Sequence, residues 1–394
     1  MKPLDGIRVV DLTHAISGPT CTQMLVHLGA EAIKVEPPRV GDDFRHYTEH
    51  AGLPLMSIPF AAVNAGKKSV TINLKSEAGR DILWKLIDRA DVLVENFRPG
   101  VLARLGFDWD ALEARNPRLI PVSISGFGQS GPLRDWGAYD HIAQAVSGIA
   151  MMNESEGVPQ KIGMPIVDSF SGYLAVIGLL AALRTRDATG RRQRVDIAML
   201  DAALKLIATS VSVHSYTGEA PKSTGNRGYR LVATAEYYPT AKGWIALGAN
   251  QQHQVESLLR TLGQEEMITD PRFADHASRV RHYEEVRAWL EERLSRETAA
   301  DLELQLTAAG VPAAMLRNVG EIAAHPYMDH RYLFEHVTLP GAERPLATVG
   351  PGFAVEKPDA PRVVPTLGAD TENVLADLGF DASDIAELRS QGAV

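Results

Sequence analysis

The stretch IRVVDLTHAISGPTCTQMLVHLGAEAIKVE, residues 7–36, decides the fold. It opens with a β-branched run at Ile7–Leu12, continues through an apolar helical pattern around Cys21, and returns to a second run at Ala32–Glu36. Strand, helix and strand in thirty residues is a βαβ unit, which implies a parallel pair joined by a crossover helix. Working outward, further short strand-like runs stand at Ser69–Leu74, Asp91–Glu95 and Leu119–Ser125. Between the first two of these, Ser76–Arg89 gathers Ile82, Leu83, Leu86 and Ile87 on one helical face behind Ser76, a residue suited to an N-cap. The pattern predicts a mostly parallel sheet with ligands at the carboxyl ends of its strands.

Further on, apolar helices are expected at Asp140–Met152, Ser169–Arg186 and Ala198–Tyr216, with a strand at Arg194–Ile197. Thr217–Tyr229 is rich in Gly, Pro, Ser, Thr and Asn and reads as a linker. After it, strands are expected at Glu236–Pro239, Trp244–Gly248 and Val311–Leu316, and charged helices at Ala277–Leu294 and Thr298–Ala309. A small helix, Asp370–Leu378, lies near the end. The expected architecture is α/β: a large domain of residues 1–224, a smaller α+β domain inserted at 225–329, and a segment 330–394 returning to the large one.

The chain has 394 residues, more than one compact core usually holds, so two domains agree with length as well as pattern. Forty basic against forty-nine acidic residues give a net charge of −9, which argues against a surface made for nucleic acid. The single cysteine excludes an internal disulfide framework. No apolar signal segment opens the sequence, and the longest apolar run, Tyr173–Leu183, is short for a membrane span. A soluble cytoplasmic protein is expected.

Generic chemistry motifs are sparse: there is no Walker P-loop, no G-x-S-x-G and no H-E-x-x-H. Gly126, Gly128 and Gly131 in SGFGQSGP are read as a tight loop rather than a dinucleotide fingerprint. His14, His46, His50, His141, His253 and His276 are read as surface or core residues, with no metal site, and Cys21 as a buried small residue. Asp168 in GMPIVDSFSG is the carboxylate of interest. Helix capping explains an Asp there. The same position could also hold an ionised nucleophile near free N–H groups. Arg39, Lys75, Asn96, Phe97, Arg98 and Arg104 follow strands, where their loops gather at one sheet edge. Singly they are surface residues; together, strand-end cations in an acidic protein suggest capture of a phosphorylated ligand.

Together, DGIRVVDLTHAISGPTCTQMLVHLGAEAIKVEPPRVGDDFR, KKSVTINLKSEAGR, VENFRPGVLARLG, SISGFGQSGP, AYDHIAQAVSG, GMPIVDSFSGYLAVIG and RQRVDIAMLDA resemble the class III CoA-transferases, the CaiB/BaiF family. The resemblance spans nearly the whole chain. It implies a Rossmann-like large domain, an inserted small domain and two open rings interlocked as a homodimer, with the active site at their interface. Asp168 matches the family's nucleophile, which forms acyl-aspartyl anhydride and aspartyl-CoA thioester intermediates. Arg39, Leu74, Lys75, Asn96, Phe97, Arg98 and Arg104 match positions lining the CoA site, and Arg134 is a further phosphate candidate. CoA would enter as the acyl-CoA co-substrate, and a small organic acid would be the other partner.

Gly248 opens GANQQHQ, where relatives carry glycines that could furnish oxyanion donors. Ile16 stands in THAISGP where formyl-CoA:oxalate transferases tend to have Gln, which points away from oxalate. The expected pair is succinyl-CoA with a dicarboxylic acid of itaconate, mesaconate, malate or glutarate type. The same fold hosts α-methylacyl-CoA racemases, which use a His where AYDHIAQ places Tyr139; transferase is the favoured reading. A catalytically silent CoA-binding protein is the remaining alternative.

Overall fold

The computed structural model describes residues 2–48, 52–228, 230–331, 333–353 and 361–394. His50 and Tyr229, named above, lie outside them. The chain divides into two compact units, one of Met1–Ala150, Lys161–Ala220 and Asp329–Val394, the other of Met151–Gln160 and Pro221–Met328.

The first unit is built on a six-stranded parallel sheet: β1 Arg8–Asp11, β2 Glu31–Glu36, β3 Lys68–Thr71, β4 Val92–Glu95, β5 Ile120–Ser125 and β6 Val195–Ala198. Their order is β3-β2-β1-β4-β5-β6, with every pair parallel. The order reverses between β1 and β4, the place where such sheets open a crevice at their carboxyl ends. β4 and β5 are buried along their whole length, so their apolar runs face helices on both sides. One core layer joins Val9, Val92 and Val122 to the helices Ser17–His27 and Ile166–Thr189. The other joins Val10, Val35 and Val70 to the helix Glu77–Ile87 and to Leu375 and Ile385 near the end of the chain.

Those last residues cover β3 along its open edge. Ser69 N–H donates to Asp370, Thr71 N–H to Thr371 Oγ1 and Asn73 N–H to the Ala393 carbonyl. The helix Ala382–Ser390 and the antiparallel hairpin β10 Phe334–Val337 with β11 Leu346–Val349 were not expected from the sequence.

The second unit carries a three-stranded antiparallel sheet in the order β7-β8-β9: β7 Tyr237–Pro239, β8 Trp244–Leu247 and β9 Ala313–Met315. Its core packs Ile245 and Leu247 against Val255, Leu259, Val286, Leu290 and Leu302 of the surrounding helices.

Three expected helices are each two. Gly148, at φ 91°, separates Asp140–Ser147 from Ile149–Met152. Ile207 separates Met199–Leu206 from Ala208–Thr217, and His282 separates His276–Arg281 from Tyr283–Leu294. The long helix Ile166–Thr189 has 24 residues, beginning three earlier and ending three later than the Ser169–Arg186 helix expected from the sequence. It is long and apolar enough to cross a membrane by length and composition, contrary to the expectation from the shorter run. It packs against the helix Ser17–His27 and strands β5 and β6, as a core helix of an α/β layer does.

At the carboxyl ends of β1 and β2, beside the start of β3, the interior is ionic. Lys67 Nζ reaches Asp11 at 3.1 Å, Thr22 Oγ1 at 2.7 Å and Asn64 Oδ1 at 2.8 Å. Lys34 forms an ion pair with Asp42 at 2.9 Å and donates to the Thr13 carbonyl at 2.7 Å. Arg45 grips both oxygens of Glu36 at 2.7 Å and stacks over Phe60. All six charged side chains are buried. Burial pushes the Asp11 carboxyl up, yet Lys67 and Lys34 outweigh it and hold it at about 2. Burial lowers Lys67 to about 8.

Removing one partner strands the other, so Lys67→Met is expected to cost about 3–5 kcal/mol of unfolding free energy, read from urea titrations. Asp11, Glu36 and Asp42 are all held below their ordinary values. Their stabilisation is therefore fully present above the unfolded carboxylate pKa near ~4 and is lost as pH falls toward ~2. Acid unfolding followed by circular dichroism is expected to fall in that window, and Asp11→Asn to lose part of that dependence.

Candidate active site

The ionic interior shapes the loop after β1. Ala15 is left-handed at φ 61°, a strained state for a residue with a Cβ. Asp42 Oδ1 holds it by accepting the Ala15 N–H at 3.1 Å and the Phe44 N–H at 3.0 Å. Asn96 pins the same loop from β4. Its Oδ1 accepts the His14 N–H at 2.9 Å, and its Nδ2 donates to the His14 carbonyl at 2.8 Å and to Ser17 Oγ at 3.3 Å. The Asn96 amide thus positions this loop.

The long helix that carries Asp168 packs close to the end of this loop because of a small residue one turn after Asp168. A Cβ on Gly172 would stand 2.6 Å from the Ser17 carbonyl oxygen, so only glycine lets the long helix come so close. Asp168 is the third residue of that helix and not its N-cap, which is Pro165. The capping acceptor comes from another helix: Asp140 Oδ1 takes the N–H of Val167 at 2.7 Å and of Asp168 at 3.2 Å. Gln144 donates to Asp140 Oδ2 at 2.6 Å, and its own carbonyl accepts the Ile162 N–H at 2.8 Å.

Asp140 therefore takes the N–H groups expected to keep Asp168 ionised. Burial, followed by the charge of Asp140, raises the Asp168 carboxyl to about 7. Its ionisation is thereby moved toward neutral pH. Among the described residues no cation pairs with Asp168, and its side chain is partly exposed. Such a carboxylate is a better nucleophile than a salt-bridged one and still ionises near neutrality. The Tyr47 hydroxyl is pushed up by burial and then by Tyr139, Asp43, Asp42 and Asp168, which places all of these within electrostatic reach of it. Tyr139 is exposed and stacks on His141 with ring centroids 6.2 Å apart. Ile16 immediately precedes the helix Ser17–His27.

Three of the expected cations converge. The guanidinium nitrogens of Arg104 and Arg134 lie 3.3 and 3.4 Å from where a Cβ on Gly100 would stand, and Arg98 lies 3.2 Å from the same point at Gly137. Arg98 and Arg134 line a cavity of about 230 Å³ with Gly100, Phe107 and Trp109. Glu95, at the end of β4, lines it too. It accepts the Phe97 N–H at 2.8 Å and bonds Ser123, and burial raises it to about 7. Sequence reasoning missed Glu95, although a carboxylate closing an otherwise apolar strand was the available signal. Phe97 is half-buried against the core and 5.8 Å from the His14 ring. Leu74 is half-buried, while Lys75 and Arg39 are exposed, Arg39 in a left-handed turn at φ 69°.

Gly248 lies in the second unit, and its N–H donates to the Pro312 carbonyl at 2.8 Å. The N–H groups of Ala249, Asn250 and Gln251 are taken by Thr234 and Gln254. Gly126, Gly128 and Gly131 do stand at G-x-G-x-x-G spacing after β5, but no helix begins until Asp140. A dinucleotide fingerprint needs that helix end. His46 and His50 are four residues apart, and the His46 ring is bonded to the Val40 carbonyl at 2.8 Å. Burial raises the Cys21 thiol to about 12, which removes it as a nucleophile.

A family model described as CoA-transferase family III matches residues 4–371. The chain is 38% identical to the acetyl-CoA:oxalate CoA-transferase of Acetobacter aceti, over 92% of this chain and 93% of that protein. It is 34% identical to the succinyl-CoA–D-citramalate CoA-transferase of Chloroflexus aurantiacus, over 100% and 98%. The crystal structure of a CaiB/BaiF family protein from Brucella suis superposes with a TM-score of 0.85 at 32% identity, covering 96% of this chain and 99% of that one.

The electrostatics of Asp168 can be tested without any substrate. Carbon-13 NMR of the aspartate carboxyls is expected to show Asp168 titrating near 7, and Asp140→Asn to move it downward. Because its folded pKa is raised, ionising Asp168 costs stability that accumulates from pH ~4 to ~7. Asp168→Asn is therefore expected to stabilise the fold at pH 8 by roughly 1–2 kcal/mol, and not at pH 4, in urea titrations.

Proposed function

The chain belongs to CoA-transferase family III, and we propose that Asp168 is the nucleophile with which it moves CoA from an acyl-CoA donor to a small carboxylic acid. The observation that carries this reading is a partly exposed carboxylate, unpaired among the described residues and raised to about 7, in the first turn of a helix that Gly172 lets pack against Ser17. In the first step an Asp168 oxygen attacks the thioester carbonyl carbon, the C–S bond breaks and CoA leaves as thiolate. The thiolate then attacks the aspartyl carbonyl of the mixed anhydride, releasing the donor acid as a carboxylate and leaving an aspartyl-CoA thioester. The acceptor carboxylate then attacks the aspartyl carbonyl of that thioester, forming a second mixed anhydride as the C–S bond breaks and thiolate is freed again. Attack of that thiolate on the acceptor acyl carbon gives the new thioester and restores the Asp168 carboxylate. Each step exchanges one activated acyl bond for another, which keeps every barrier modest.

Arg98, Arg104 and Arg134 supply the cations that a CoA phosphate would meet, and Arg39 and Lys75 are exposed loop residues available to the same ligand. Succinyl-CoA with a dicarboxylic acid is the first pair to test, and oxalate stays among the acceptors because of the Acetobacter relative. Tyr173 and Ile177 on the long helix, with Val213 and Tyr216 further on, are exposed apolar side chains that support a homodimer in which a second copy covers them. The cytoplasm, with its reduced thiols, is the compartment we assign.

Asp168→Ala is expected to lower transfer by at least ~10³-fold while CoA affinity, read by calorimetry, stays within about threefold. Substantial turnover in that variant would sink the assignment. Since the nucleophile must be ionised, kcat/KM is expected to rise with pH through about 7 and then level. Hydroxylamine added with acyl-CoA is expected to leave a hydroxamate on Asp168, identified by peptide mass spectrometry.

A further inference from the structure

The turn Asn96–Arg98 follows β4, beside the place where the strand order reverses, and several parts of the site hang on it. Asn96 pins the loop after β1, and Phe97 stands 5.8 Å from the His14 ring. The Arg98 guanidinium lies against Gly137, three residues before Asp140.

What holds the turn is the residue before it. Glu95 is 5% exposed; one of its oxygens accepts the Phe97 N–H at 2.8 Å and the other bonds the Ser123 hydroxyl on β5. Burial raises this carboxyl to about 7, with Asp196 of β6 adding to the shift and the bonds to Ser123 and Phe97 opposing it. Arg98 and Arg134 line the same cavity as Glu95, yet among the described residues neither is paired with it. An acid placed to neutralise those cations would reach them. This one spends both oxygens on tying the turn to the neighbouring strand.

We propose that Glu95 is a positioning residue for CoA: by accepting the Phe97 N–H it fixes the turn and so aims Arg98 at a CoA phosphate. The inference rests on the CoA-transfer reading and deepens it. Without the acceptor, the Phe97 N–H has no partner, and the turn shifts to find one. Arg98 then loses its fixed approach, and a planar guanidinium gives phosphate its best paired bonds only in the right orientation.

CoA affinity, read by calorimetry, tests this in the native chain, Glu95→Gln, Glu95→Met, Arg98→Ala and the double variant of Glu95→Met with Arg98→Ala. Gln keeps an acceptor for the Phe97 N–H, and Met has similar length without one. Glu95→Met is expected to weaken CoA by about tenfold, the yield of one buried hydrogen bond, and Glu95→Gln by less than about threefold. Because Glu95 acts through Arg98, the double variant is expected to bind within about twofold of Arg98→Ala alone. A residue that only stabilises the fold would leave the affinity of folded Glu95→Met unchanged, or would add its loss to that of Arg98→Ala; either result overturns the proposal. So does Glu95→Gln binding as weakly as Glu95→Met. If the native chain binds no CoA the proposal also falls, and the hydroxamate on Asp168 decides separately whether CoA transfer stands. If Glu95→Met does not fold, nitrogen-15 NMR of the native chain and Glu95→Gln decides. The Phe97 amide is expected to shift as pH passes about 7 in the native chain and to lose most of that shift in Glu95→Gln. Equal shifts in both, or none in either, overturn the proposal.

Discussion

The structure depends on a set of charges taken out of water together. Asp11, Glu36 and Asp42 face Lys34, Arg45 and Lys67 where β1 and β2 end and β3 begins, and each is buried. Desolvating such groups is expensive, and their attraction repays it only in one arrangement. The arrangement is what the site inherits. Lys34 holds the Thr13 carbonyl, and Asp42 holds Ala15 in a conformation that alanine alone would avoid. The loop after β1 is held by supports that are ionic and cannot be rearranged cheaply.

A second constraint acts on Asp168 itself. A helix amino terminus would ordinarily stabilise a carboxylate through its free N–H groups. Here Asp140 occupies two of those groups and adds a like charge. The same side chain secures the helix and withholds stabilisation from its neighbour, so fold and reactivity are set by one residue. Gly172 completes the arrangement by letting the helix approach the loop.

Much of the large unit was legible in residues 7–36 and in the runs after them, because fully buried parallel strands need β-branched sequences. The breaks at Gly148, Ile207 and His282 were not, since the apolar pattern runs on through them and only packing shows the turn. Lys34 and Glu36 read as ordinary alternating charges in a strand, and nothing local says that both are buried. Asp168 was legible as a residue of interest, but its environment was not: the cap comes from Asp140, in a different helix. The convergence of Arg98, Arg104 and Arg134 likewise needs the fold. The glycines after β5 have the spacing of a motif but not its following helix, and they form the loop expected of them.

The covering of β3 has a consequence for how the chain is made. Ser69 bonds Asp370 across 301 positions of sequence. During translation the outer strand of the sheet therefore leaves the ribosome long before the residues that shield it. Through that interval its edge is open to any other extended segment, and the closing contact is among the most distant in the sequence. Completion of the large unit is set by the arrival of its last two helices rather than by its first βαβ turn. A nascent chain halted before residue 370 would display the sheet with its most vulnerable side bare.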